Sequence, residues 1–166
     1  MREEITRLFR QLTYGVYVIG VTEGEVCNAF TAAWVMQVSF HPLLLALSIN
    51  PQHSSYELLT RGKVFSINVL GQDHLDLAAH FGRPATENKL APVPWCQKLT
   101  GAPVLTNALA YFDCELSHSC PAGDHELVIG RVVDGAVLNA GVLPLHYRDT
   151  DDLDGSSHLY PDVLNT

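Results

Sequence analysis

Positive charge is scarce in this chain: ten Lys and Arg stand against eighteen Asp and Glu over 166 residues, a formal net charge of -8. A protein that neutralises phosphates along a nucleic-acid backbone needs the opposite sign, so no nucleic-acid partner is expected. Long apolar runs are lacking as well. The longest, such as Pro42 to Leu47, fall far short of the ~20 residues of a membrane helix, and the chain opens on Arg2, Glu3 and Glu4, so neither a membrane span nor a signal peptide is expected. The four cysteines, Cys27, Cys96, Cys114 and Cys120, show no CxxC spacing. Reduced thiols in a cytoplasmic protein are the expected state, and Cys114, inside an alternating apolar stretch, reads as a small hydrophobe. There is no HExxH, no Cys/His pair at zinc-finger spacing and no GxGxxG after a strand. No metal site and no Rossmann turn are therefore expected despite eight histidines. The closest group, His118, Cys120 and His125, flanks a Pro-Ala-Gly turn and reads as a surface loop.

What is present fits one domain, since 47% hydrophobic content over this length can bury a single sizeable core. Ile5, Leu8, Phe9 and Leu12 recur at i, i+3, i+4 and i+7, predicting an amphipathic helix over 3–12. From Gly15 the period changes to a β-branched and aromatic run, and Thr22-Glu23-Gly24-Glu25 supplies a turn before a second strand begins at Val26. Leu43 to Ile49 and Val64 to Leu70 read as strands. A short helix between them carries Ser54 and Glu57 at capping-box spacing and Gly62 as its stop. A further helix is expected over 73–81. Residues 82–103, with four prolines and two glycines, read as a long loop with one helical turn near Glu87. Ala108 to Ser117, Glu126 to Val133 and Ala136 to Leu145 read as three strands separated at Gly123-Asp124 and Asp134-Gly135. Such a chain is mainly β with peripheral helices, and closure into an antiparallel barrel is the expected way of removing its sheet edges. The domain is expected to span 1–148. Residues 149–166, with Asp149, Asp151, Asp152 and Asp154, form an acidic tail read as a solvated segment.

Three places invite a ligand. Asn28-Ala29-Phe30-Thr31-Ala32-Ala33-Trp34 clusters small residues between a hydroxyl and an indole, which suits close approach of a flat molecule and equally suits a strand packed tightly under a helix. His53-Ser54-Ser55 opens a helix, where free N–H groups and the helix dipole favour an anion, although simple N-capping also accounts for Ser54. Gly123-Asp124-His125 projects, from the start of a strand, an imidazole that can serve as an active-site hydrogen-bond donor.

Taken in order, Tyr14 to Ile19, Asn28 to Trp34, Val38 to Pro42, Ser48-Ile49-Asn50, Ser54-Ser55, Val64 to Leu70, Leu77 to Phe81, Asp113-Cys114-Glu115, Gly123-Asp124-His125 and Ile129 to Val132 resemble the flavin reductase family over about residues 5–147. The resemblance implies a Greek-key split β-barrel of the FMN-binding type. It also implies a homodimer that transfers a hydride from NADH or NADPH to FMN or FAD and supplies reduced flavin or electrons to a separate monooxygenase or other redox acceptor. By the same resemblance Asn28, Thr31, Ala32, Ala33, Trp34, Asn50, His53, Ser54, Ser55 and Phe81 would hold the flavin, its ring along Thr31 to Trp34 and its phosphate at Ser54-Ser55. His125 would stand at the nicotinamide side as the catalytic residue. Three departures stand out: His41-Pro42-Leu43 where many relatives have two prolines, an anion site with no Lys or Arg beside His53 (leaving Arg61, Arg83 or Lys89 as sources of charge), and closing residues unlike the usual Tyr-rich strand. A flavoredoxin-like electron carrier and a non-redox barrel holding haem or another planar ligand are the alternative readings.

Overall fold

The computed structural model describes residues 1–84 and 88–164; the helical turn expected near Glu87 lies outside them. Helix α1 (Arg2–Phe9) leads into an antiparallel hairpin of β1 (Tyr17–Glu23) and β2 (Val26–Ala32). Gly24 at φ 61 makes its turn, a conformation that costs glycine little. β3 (Val35–Ser39), β4 (Leu44–Ile49), α2 (Tyr56–Gly62), β5 (Val64–Val69) and α3 (Leu75–Gly82) come next. The chain then forms the small pair β6 (Trp95–Gln97) and β7 (Pro103–Leu105), and the long hairpin β8 (Ala110–Ala122) and β9 (His125–Val137). Seven strands make one sheet in the order β2-β1-β5-β8-β9-β4-β3, every ladder antiparallel.

The period-2 pattern of the strands explains why the sheet carries apolar clusters on both faces. On β1, Ile19 and Val21 join Phe30, Leu47, Phe65, Ile67 and Val128 under Leu59 of α2. Val18, one residue earlier and so on the opposite face, joins Ala29, Leu70 and Leu105 against Ala78 and Phe81 of α3. Burial on both sides is why β1 reads as an almost continuous apolar run rather than an alternating one.

Several expectations are corrected. The sheet is not closed by hydrogen bonds: β2 and β3 are its two edges, and among the described residues no ladder joins them. The two-residue corner at Ala33 and Trp34 turns the chain sharply, the Ala33 carbonyl accepting from Val35 N–H at 3.1 Å and the Trp34 carbonyl from Ser48 N–H at 3.0 Å. Asp134-Gly135 is not a turn either. Both lie within the β8–β9 ladder, where a register shift leaves Val133 unmatched and the Asp134 carboxylate accepts from the Tyr111 hydroxyl at 2.8 Å. The strand expected over 136–145 therefore ends with β9 at Val137, and the chain beyond it makes the isolated bridges Gly71↔Pro144 and Gly15↔His146.

The α2 start differs as well. Ser55, not Ser54, occupies the N-cap, with no side-chain cap bond. Gly62 is the last helical residue and Lys63 takes the left-handed position at φ 58. Gly62 is needed for a different reason: a Cβ there would sit 1.7 Å from the Thr22 carbonyl oxygen. The expected loop 82–103 holds β6, and Lys89 in it is buried, its ammonium donating to the carbonyls of Phe81 (2.9 Å) and Arg83 (3.2 Å) at the end of α3.

Candidate functional site

The β2–β3 corner opens a cleft. It has two adjoining lobes of about 250 and 260 Å³ that share Thr31, Ala32, Ala33, His53, Tyr147 and Asp154. One lobe runs beneath Ala78, Ala79 and Gly82 of α3; the other is bounded by Trp34, Asn50 and His125. Joined, they fall in the range of about 300–1,000 Å³ usual for small-molecule sites. The floor is low because Ala32 and Ala33 add almost no side chain. β2 is also an edge strand, so alternate backbone N–H and C=O groups along it have no ladder partner and remain available to the polar edge of a flat ring.

His53 and His125 approach this cleft from different elements, each in a defined state. The His53 ring packs on Phe30 at 4.4 Å between centroids. Its Nδ1 accepts the Ser55 N–H at 3.1 Å, so in the neutral ring the proton resides on Nε2. Burial, helped by the charge of Lys89, holds the His53 pKa below its ordinary value. His125 stands 5.0 Å from Trp34 between ring centroids and donates from Nδ1 to Asp124 Oδ1 at 2.8 Å. The bond leaves Nε2 for other work, and the His125 ring holds the Asp124 carboxyl below the usual carboxylate range. Neither Nε2 atom, nor the amide Nδ2 of Asn50, has a hydrogen-bond partner among the described residues; only Asn50 Oδ1 is engaged, by Gln52 N–H. Three polar groups with spare capacity around a small-residue floor are what a ligand site requires.

The structure separates the remaining expected residues. Thr31 lines the cleft, but its hydroxyl already donates to the Ala78 carbonyl at 2.7 Å. Ser55 is 1% exposed, its N–H taken by His53 and its oxygen accepting from Asn28 Nδ2 at 3.0 Å. Ser54 lies instead in a separate cleft of about 390 Å³ with Asn28, Arg61 and Asn88. Phe81 is corrected: its ring is 1% exposed in the α3 cluster and cannot touch a ligand, and Ala78, Ala79 and Gly82 present the helix surface in its place. Among the described residues no three His, Cys, Asp or Glu side chains gather to hold a metal ion. Cys114 is no nucleophile, since burial pushes its thiol up to about 12. Tyr147, which the sequence reading did not single out, and Asp154, which it placed in a solvated acidic tail, stand on both lobes; a tyrosine and an apolar Leu159 flanking that acidic run were the signal available.

Comparison with known proteins settles the family. Residues 9–153 match the flavin reductase like domain, and the chain belongs to that family. It is 34% identical over 140 residues to the high molecular weight rubredoxin of Moorella thermoacetica, covering 82% of this chain and 61% of that protein. It is 30% identical over 149 residues to diflavin flavoprotein A 1 of a Synechocystis strain, covering 87% of this chain and 26% of that one. The chain thus spans about a quarter of the length of the diflavin flavoproteins it matches. Among solved structures, the NADH:FAD oxidoreductase SgcE6 of Streptomyces globisporus C-1027 superposes with a TM-score of 0.79 at 25% identity, over 86% of each chain. The chemistry attached to this family is flavin-linked oxidation and reduction. No helix among the described residues is long and apolar enough to cross a membrane.

Proposed function

We propose that this chain is an NAD(P)H:flavin oxidoreductase of the cytoplasm, binding the ring of FMN or FAD along Thr31 to Trp34. The observation that carries the reading is the alanine-floored cleft at the β2 edge, ringed by unengaged polar groups on Asn50, His53 and His125. The fit is good for a planar ring: Ala32 and Ala33 allow backbone approach, and Trp34 and the His53 ring supply flat walls. A flavin bound there supplies a two-electron acceptor, and the protein's share is binding, orientation and exclusion of water. His53 offers an Nε2–H donor to the ring's polar edge. His125, its tautomer fixed by Asp124, orients the carboxamide of the hydride donor through Nε2. The ribityl phosphate runs toward Ser54, whose cleft Arg61 also lines while pairing with Glu57 at 3.5 Å.

The functional unit in this reading is a homodimer. The exposed apolar residues Met36, Val38 and Phe40, the last 87% accessible, form the patch that a second copy would cover. A separately encoded monooxygenase or another redox acceptor would use the product. A second reading has one observation in its favour: the matched diflavin flavoproteins and high molecular weight rubredoxin are longer chains, so a domain of this kind can pass electrons to a neighbouring module while keeping FMN bound. Optical spectroscopy decides. Purified protein should take up FMN or FAD, and anaerobic NADH or NADPH should bleach the flavin band within seconds. Bleaching by dithionite alone would establish the electron carrier, and absence of any flavin binding would remove both readings.

A further inference from the structure

The acidic closing segment is seated against the body of the protein. Residues 147–150 and 156–159 form two short 3-10 turns, and helix α1 grips the stretch between and beyond them. Arg10 donates to the Asp151 carbonyl at 3.0 Å and stands 3.8 Å from the Asp152 carboxylate; Arg2 pairs with Asp162 at 3.1 Å. Phe9 packs on Tyr160 with ring centroids 5.4 Å apart. At the other end of the segment, Tyr147 N–H donates to the Tyr14 carbonyl at 2.9 Å. So anchored, the segment turns one side to the cleft. Tyr147, Asp154, Ser156 and Leu159 face Trp34, Asn50 and His125 across the larger lobe, and among the described residues Asp154 is the only carboxylate lining it. The Asp154 carboxylate is held by the Tyr147 hydroxyl (2.9 Å) and by the Ser156 N–H (3.0 Å). Each of its oxygens keeps a lone pair for a further donor.

We infer that residues 147–164 are a strap forming the outer wall of the ring cleft, and that Asp154 is a specificity-determining acceptor for a planar heterocycle bearing a ring N–H. This rests on the flavin reading, in which the ring N–H is that of N3. It assigns α1 a task of its own, since α1 holds the strap and touches no part of the cleft. An imide N–H donating to a carboxylate is a charge-assisted bond, stronger than one between neutral partners, so a ring methylated at N3 loses it.

Binding of riboflavin, which has the ring and no phosphate, tests this in the full chain by fluorescence quenching, beside 3-methylriboflavin. Wild type should prefer riboflavin over its 3-methyl derivative by about tenfold, the scale of one hydrogen bond to a charged group. Asp154→Ala should bind both equally. Arg2→Ala with Arg10→Ala, the first exposed and the second half-buried, should speed amide exchange over 151–164 and weaken riboflavin about tenfold without changing the far-ultraviolet dichroism. If the strap exchanges faster yet riboflavin affinity stays within twofold, or if the double variant leaves the strap protected, the inference falls and the flavin reading stands. An undiminished preference in Asp154→Ala also overturns it. Wild-type protein that binds neither riboflavin nor FMN overturns the inference and the flavin reading together.

Discussion

Two polar clusters sit in this fold, one sealed and one open. In the first, Asn68 on β5 is fully buried with its amide consumed: Nδ2 donates to the Val18 carbonyl at 2.9 Å and to Ser66 Oγ at 3.1 Å, while Oδ1 accepts from Leu105 N–H at 2.8 Å. Ser66 donates in turn to the Pro103 carbonyl, and buried Asp113 on β8 accepts from Thr100 N–H at 2.9 Å and from the Thr100 hydroxyl. The effect is to staple residues 100–105 onto the sheet. In the second cluster, around the β2–β3 corner, Asn50, His53 and His125 use part of their capacity and leave the rest facing the cleft. Depth of burial would rank the first cluster as the more important. Unspent hydrogen-bonding capacity ranks the second as the functional one, because a satisfied buried network specifies structure while convergent unsatisfied groups at a surface cleft await a ligand.

The contrast predicts opposite consequences for mutations in the two places. Asn68→Leu leaves the Leu105 N–H buried without its acceptor and removes the donor to the Val18 carbonyl, and should cost about 3 kcal/mol of stability in chemical denaturation. Flavin affinity of the folded fraction should stay within twofold of wild type, and a marked loss would show that the sealed cluster reaches the site. Ala33→Leu should do the reverse. A leucine on the cleft floor should weaken flavin by 100-fold or more, about 2.7 kcal/mol, with stability changed by less than about 1 kcal/mol. A folded Ala33→Leu protein of normal affinity would place the ring elsewhere. His125→Ala is smaller in effect: flavin absorbance retained, dithionite reduction complete, and the anaerobic reduction rate with NADH or NADPH about tenfold lower, equivalent to about 1.4 kcal/mol of barrier. An unchanged rate would make His125 a turn residue.

How much of this was legible in the sequence depends on how local each feature is. The β1–β2 hairpin and α3 come close to their expected spans because turn chemistry and periodicity act over a few residues. The Asp134-Gly135 pair misleads because the signal for a turn is also the signal for a bulge, and only the pairing with Asp113 and Phe112 decides between them. Ser54 misleads similarly: the capping-box spacing is present, but His53 Nδ1 captures the Ser55 N–H and shifts the helix start by one residue. In the site, Trp34, His53 and His125 come from three distant segments, and the family resemblance alone brought them together. Phe81 was included for its place in a family motif, and its side chain turns to the core. Tyr147 and Asp154 were missed because an acidic run is ordinarily solvated. Here the carboxylates stay exposed while Arg2 and Arg10 fix the backbone that carries them.

The finest difference between the clusters concerns pH. His53 in the folded chain has a pKa below the ordinary ~6.5 of a solvated histidine, chiefly from burial, so near and below that value the unfolded chain binds a proton that the fold does not. Stability should therefore be level above about pH 7 and decline as pH falls through about 6.5, the sign required when the unfolded state holds more protons. His53→Asn keeps an acceptor for the Ser55 N–H and removes the titration, and thermal melts from pH 7.5 to 5.5 should show a shallower decline in that variant than in wild type. An equal decline would assign the acid sensitivity to another group. Flavin sharpens the test. If His53 Nε2–H donates to the bound ring, the neutral state must persist to lower pH in the complex, so flavin affinity of wild type should fall below pH 6 while that of His53→Asn stays flat. The Asn68 amide and the Ser66 and Thr100 hydroxyls have no counterpart to this, because they do not titrate in the range.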